Sequence, residues 1–342
     1  MSTTDDRPTV ILAPAPQRTD RIFTPRRLEE LHRRFNVVDL EHDDRPEALD
    51  EALRIAFAVI GQPDLSRERL ALAPRLRAIC NVEGNFFPNV DYEACYEQGV
   101  YVLGCGPAYA QAVAEHALAL ALDLARGISR EDRAFRAGYE RYVADGNSDA
   151  ILLRGATVAL LGYGNLGRAL HRLLLPFDAD IAVFDPWLPD SYLREQGVTP
   201  APLIEILRRS QFVFVLATVT TESEHLLGAA ELELVPPGAR LVLVSRAAVV
   251  NYDALLAGIA DGRFFAAVDV WPEEPVPAGH PARSLEGLIF SGHRAGGIPQ
   301  AFLSIGDMVV DDLAQILSGL PPVRMQVAAR ELVSRYRNRP VS

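Results

Sequence analysis

Three short segments of this chain end in side chains that can handle charge. Arg246 closes the apolar run of LVLVSRAAVVNYDALL; AAVDVWPEEPVP carries Asp269, Glu273 and Glu274; and GLIFSGHRAGG carries His293 ahead of the glycine pair Gly296 and Gly297. A guanidinium at the end of a buried strand must reach solvent or an anion, because leaving it buried and unpaired costs several kcal/mol. Taken singly, each residue has a plain reading: a surface ion pair, a solvated glutamate before proline, a loop histidine. Taken together they supply an anion clamp, a proton donor and a carboxylate to tune it. Those are the parts needed to add hydride to the carbonyl of a 2-oxo acid.

A hydride carrier is implied by the stretch TVALLGYGNLGRALHRLLLPFDADIAVFD, from Thr157 to Asp185. Gly162, Gly164 and Gly167 follow an apolar strand and open a helix. The first permits a tight turn, the second lets backbone approach a pyrophosphate, and the third lets helix pack on strand. Tyr163, Asn165 and Leu166 complete the turn, and the helix N-terminus offers free N–H groups to the phosphates. A βαβ unit without a nucleotide is the plain alternative. Context argues against it, because a second strand, Ile181 to Phe184, ends in Asp185 about 20 residues beyond the glycines. A carboxylate there accepts hydrogen bonds from a ribose 2′-hydroxyl and repels a 2′-phosphate, and Pro186 and Trp187 follow it in place of an arginine. The cofactor expected is NAD. Gly104-Cys105-Gly106 mimics the glycine string but precedes a long helix with no acid-bearing strand after it, and is read as a domain crossover.

The elements that must position these residues alternate. Strands are expected at Val10 to Ala13, Val37 to Leu40, Ala56 to Gly61, Leu76 to Val82 and Val100 to Leu103, with helices between them at Pro25, Pro46, Ser66 and Tyr92. After the crossover, strands begin at Thr157, Ile181, Phe212, Arg240, Phe264 and Gly287, the last running through Ser291. Such alternation gives an α/β protein with two doubly wound parallel sheets. The candidate residues then gather at the carboxyl ends of one sheet, where such folds bind ligands. Residues 126 to 154 read as a surface arm, and Ala301 to Leu317 as a helix that folds back on the first domain.

Composition narrows the class. With 342 residues, 49% of them apolar, the chain can bury two cores. A net charge of −11 argues against binding to a phosphate backbone. Cys80, Cys95 and Cys105 are odd in number and lack metal-ligand spacing, so no disulfide framework or metal site is expected. They suit a reducing cytoplasm. The first residues, MSTTDDRPTVILAPAP, do not resemble a secretory signal, and no segment is apolar enough to span a bilayer.

At these motifs the chain closely resembles the D-isomer-specific 2-hydroxyacid dehydrogenases. The likeness runs from about Arg77 to Ala301 through AVAEHALALALDLAR, LGYGNLGR, PPGARLVLVSRAAVVNYDALL, VDVWPEEP and SGHRAGG. The resemblance implies that Arg246 grips the substrate carboxylate and carbonyl, His293 donates the proton to the carbonyl oxygen, and Glu274 holds and polarises the imidazole. Asp269 is implied as partner of the nicotinamide carboxamide. Ala217, Val244, Ser245 and Gly296 join the glycine loop and Asp185 as cofactor contacts. Gly84, Asn85 and Phe86 are implied to meet the substrate with Arg246 and His293. The family architecture inserts a Rossmann NAD domain, 104 to 297, into a flavodoxin-like substrate domain made of 1 to 103 and 298 to 342. It also implies a homodimer, with the 126 to 154 arm as a candidate contact.

The chain departs from the family in four places. The substrate loop reads Glu83-Gly84-Asn85-Phe86-Phe87-Pro88-Asn89, with Phe86 where a second glycine is usual, so a reshaped pocket is expected. Val215-Leu216-Ala217-Thr218 replaces a segment that usually holds histidine and proline, and Ala247 replaces a glycine. Arg294 stands where an aliphatic residue is usual; an ion pair with Glu273 or Glu83 is the favoured reading, and a contact with a second anionic group of the substrate is the other. A corepressor of the same fold, acting through protein partners, is the competing function. A formate dehydrogenase is disfavoured because that branch carries glutamine in place of the glutamate.

Overall fold

A computed structural model describes residues 7–43 and 45–337. The chain divides into two compact units, Met1–Tyr109 with Gly297–Ser342, and Ala110–Gly296. The first crossing thus falls at Tyr109, inside the helix Gly106–Arg126, and not at Leu103 as expected. The helix's first turn belongs to the first unit's core: Ala108 and Tyr109 pack there, and the Tyr109 ring meets Phe302 edge-on at 6.0 Å.

The first unit is built on β1 (Thr9–Ala13), β2 (Asn36–Asp39), β3 (Ala56–Gly61), β4 (Ala78–Cys80) and β5 (Tyr101–Gly104). The second holds β6 (Thr157–Leu161), β7 (Asp180–Phe184), β8 (Thr199–Pro200), β9 (Phe212–Val215), β10 (Arg240–Leu243), β11 (Phe265–Val268) and β12 (Leu288–Phe290). The last strand, β13 (Gln326–Val327), returns to the first unit and pairs antiparallel with β5. The first sheet runs β13-β5-β4-β3-β1-β2 and the second β12-β11-β10-β9-β6-β7-β8. Every pairing in the second sheet is parallel. Apolar side chains cover both of its faces, which is why β9 and β10 read as unbroken apolar runs in the sequence. β8 and β13, two residues each, carry too little periodicity to be read from sequence.

In the second sheet the strand order reverses between β6 and β9, which opens a crevice at their carboxyl ends. At the opposite end lies a buried cation. Arg240 is 2% exposed; its Nε donates to the Leu124 carbonyl at 2.8 Å, its Nη2 to that of Asp149 at 2.6 Å, and its guanidinium lies over the Phe265 ring. These bonds satisfy the buried charge with backbone dipoles and tie the helix Gly106–Arg126 and the arm to the start of β10. The arm itself is more structured than expected, with a helix at Ile128–Ala137 and a 3-10 turn at Val143–Gly146. The helix Pro299–Leu317 packs on the first unit's core through Ile305, Met308, Val309 and Leu313.

Candidate active site

The glycine turn between β6 and the helix Asn165–Leu174 has the geometry that a dinucleotide needs. Gly162 sits at φ +102°, and a Cβ there would come within 2.9 Å of the Ala217 backbone nitrogen. No L side chain suits that position. A Cβ on Gly167 would meet the Gly162 carbonyl at 2.5 Å, so the third glycine is required for close packing of helix on turn. A Cβ on Gly164 would meet nothing within 4 Å, which leaves its outer side open for phosphate. The N-cap position is Gly164, which has no side chain to cap the helix, and a helix N-terminus of this kind suits an anion.

Asp185 is fixed at the tip of β7. One carboxylate oxygen accepts the Tyr163 N–H at 2.8 Å and the other accepts the Trp187 N–H at 3.0 Å. The acid therefore shapes the glycine turn from the other side of the crevice, and its remaining lone pairs would suit the hydroxyls of a ribose. Past β9 and β10, the hydroxyls of Thr218 and Ser245 are buried and make no hydrogen bond within the protein. Buried polar groups are rarely left so. With Ala217 and Val244 beside them, they mark a polar ligand's place at the switch point. The residues present fit NAD.

Of the charged residues expected at strand ends, Glu274 and His293 come together beyond β11 and β12. His293 Nδ1 lies 2.7 Å from Glu274 Oε2, and the other oxygen of Glu274 accepts the Trp271 N–H at 2.8 Å. That fixes the imidazole by one nitrogen and leaves Nε2 for a ligand, with 28% of the side chain exposed. Trp271 braces both partners, because its indole N–H also donates to the Ser291 carbonyl at 3.1 Å and its ring stacks on Phe290. Arg246 is half-buried at the end of β10, where its Nη1 donates to the Ser245 carbonyl at 2.7 Å.

Asp269 does more than the sequence suggested. It is 1% exposed, and its two oxygens accept the N–H groups of Arg294 and Ala295 at 3.0 and 3.1 Å. Its carbonyl takes the His293 N–H at 2.6 Å. His293 itself stands in the left-handed region at φ +50°, so Asp269 secures a strained turn. His116, to which the sequence reading gave no role, approaches from the helix Gly106–Arg126. Its Nε2 lies 3.0 Å from the Ser291 hydroxyl and 3.7 Å from Asp269. The available signal was a histidine in the otherwise apolar run AVAEHALALALDLAR.

Two expectations are corrected. Arg294 makes no ion pair with Glu273 or any other carboxylate among the described residues of its own unit; its side chain is exposed, and the backbone N–H is the part that is held. Phe86, expected to face a substrate, turns its ring into the core of the first unit, beside Tyr92 and Tyr336 and against Gly104. Only its backbone can meet a ligand. Within the same loop Gly84 lies over the Tyr109 ring, Asn85 is half-buried, and the Glu83 N–H is held by Gln62 at 2.7 Å.

Residues 118–295 match the sequence pattern described as D-isomer specific 2-hydroxyacid dehydrogenase, NAD binding domain. The chain belongs to this family. A solved phosphoglycerate oxidoreductase from Rhizobium etli is 45% identical, covers 95% of this chain and 99% of its own, and superposes with a TM-score of 0.87. A 2-hydroxyacid dehydrogenase from Ketogulonicigenium vulgare is 27% identical over 94% of this chain and 98% of its own, with a TM-score of 0.73. A glyoxylate reductase from Korarchaeum cryptofilum is 26% identical over 317 residues, 88% of this chain and 94% of that protein. Family membership makes the protein an NAD-dependent oxidoreductase of the 2-hydroxyacid dehydrogenase type. Among the described residues no helix is long and apolar enough to cross a membrane.

The role of Asp185 can be tested by cofactor titration. Hydrogen bonds to a charged group contribute about 1.5–3 kcal/mol, so Asp185→Ala should weaken NADH binding roughly tenfold or more. NADPH binding should fall less, because a repulsive charge is removed. Equal weakening of both would reduce Asp185 to a support of the turn.

Proposed function

We propose that the protein interconverts a 2-oxo acid and a D-2-hydroxy acid, with Arg246, Glu274 and His293 as the groups that meet the reacting atoms. The observation that carries this reading is the 2.7 Å contact of His293 with Glu274 at the sheet edge that holds the glycine turn. NAD supplies the hydride acceptor or donor. In the reductive direction the carbonyl oxygen gains negative charge, and His293 gives it the proton from Nε2 while Glu274 holds the Nδ1–H. Glu274 thereby fixes the tautomer and stabilises the imidazolium before transfer. Arg246 clamps the substrate carboxylate by charge-assisted hydrogen bonds and places the carbonyl beside His293. The corepressor alternative finds no specific support in this arrangement.

For substrate class we favour a 2-oxo acid bearing a second anionic group. Arg294 adjoins His293 and has no carboxylate partner in its unit, so it is available to such a group. The similar protein from Rhizobium etli is described as a phosphoglycerate oxidoreductase, which is consistent with an anionic substituent. We also favour a homodimer built on the arm, because Phe135, Tyr139, Tyr142, Val143 and Leu152 are exposed there. A patch of this kind marks an interaction surface.

Three outcomes follow. His293→Ala should lower kcat/KM by about 10²–10⁴-fold while NADH affinity stays within roughly twofold, read by steady-state kinetics and fluorescence titration; a matching loss of NADH affinity would refute the assigned role. Arg294→Ala should reduce the preference for phosphate-bearing over monoanionic 2-oxo acids about fivefold, the scale of an exposed charge contact, and an unchanged ratio would remove the second-anion reading. Light scattering at micromolar concentration should give twice the chain mass, and a monomer would rule out the arm interface.

A further inference from the structure

Tyr163, the residue between the first two glycines, is 1% exposed although it belongs to a ligand-binding turn. Its side chain runs beneath the turn, and a Cβ on Gly167 would touch its ring at 3.5 Å. At the far end its hydroxyl lies 2.7 Å from Nδ1 of His171, which is 7% exposed and two turns along the same helix. The rings are tilted by 50° with centroids 5.8 Å apart. At the near end the Tyr163 N–H is held by Asp185. One residue therefore connects the ribose-binding acid, the glycine turn and the second turn of the helix.

We infer that Tyr163 and His171 form a buried lock that keeps the pyrophosphate-binding turn in its binding conformation, which makes them positioning residues for the cofactor. Glycine turns are permissive: three glycines in six residues give the free chain many states that cannot bind phosphate. Each such state lowers the competent fraction, and apparent affinity falls in proportion. A hydrogen bond inside the core, made by the turn's only aromatic side chain, restricts those states before any ligand arrives. Burial and the neighbouring Arg172 both hold the His171 imidazole below the usual histidine range. It therefore stays neutral near neutral pH, and no charge is buried when the lock closes. Arg168, from the same helix, lies over the Tyr192 ring and keeps a second cation on this side.

The readout is NADH affinity, followed by quenching of tryptophan fluorescence and kept separate from turnover. Loss of one net hydrogen bond corresponds to about three- to tenfold, so Tyr163→Phe should raise the Kd for NADH by that factor. His171→Leu should do the same, the double variant should be no weaker than either single one, and His171→Gln, which keeps a partner for the hydroxyl, should restore most of the affinity. Wild-type NADH affinity in both Tyr163→Phe and His171→Leu, even with a lowered melting temperature, would make the pair a core contact and overturn the inference. So would a His171→Gln variant as weak as His171→Leu. Should Tyr163→Phe fail to fold, the comparison of the two His171 variants decides alone.

Discussion

The Asp269 carboxylate, buried at the end of β11, accepts the N–H groups of Arg294 and Ala295, and the arrangement of the charged residues depends on it. A left-handed conformation at a non-glycine residue costs about 1–3 kcal/mol, and His293 adopts one. Two hydrogen bonds to a charged acceptor contribute about 1.5–3 kcal/mol each, enough to offset that strain. The turn delivers the imidazole to Glu274. A relaxed backbone at residue 293 would redirect the side chain, so the acid–histidine contact is a consequence of the buried carboxylate. His116, close to Asp269 and bonded to Ser291, adds a partner from a different element.

The same device recurs at the cofactor end of the crevice. Asp185 accepts two backbone N–H groups, one from the glycine turn and one from the segment after β7. Both acids are therefore anchored by main-chain donors, whose positions are fixed by the sheet and do not depend on flexible side chains. Trp271 plays the complementary part with donors of its own, one to Glu274 and one to Ser291. Preorganisation of this kind would lower the reorganisation needed in the proposed reaction, where charge develops on a carbonyl oxygen.

Much of this was legible in the sequence. The order of strands follows from apolar runs separated by turn residues, and the glycine spacing with Asp185 identifies the crevice. Arg246, Glu274 and His293 stand out in the sequence because each lies just beyond an apolar strand of the same sheet, β10, β11 and β12 in turn. What escaped notice depends on tertiary contact. His116 lies on a helix more than 150 residues from its partners, and nothing in its local pattern points to Ser291 or Asp269. Arg240 reads as the polar start of a strand, yet it is buried because three backbone carbonyls converge on it. Arg294 beside acidic residues suggests an ion pair by composition, but the turn at His293 fixes only its backbone.

Phe86 shows how a local departure can be absorbed by the core. A ring replaces a usual glycine, and the expectation of a reshaped pocket assumes that the ring faces the ligand. The space it occupies is instead provided by Gly104, where a Cβ would sit 3.3 Å from that ring. A phenylalanine at one position and a glycine at the other fill one volume in the core, with Tyr92 and Tyr336 closing the sides. Close-packed interiors penalise a change at either position alone. The loop backbone at Gly84 and Asn85 is consequently set by core packing rather than by glycine freedom.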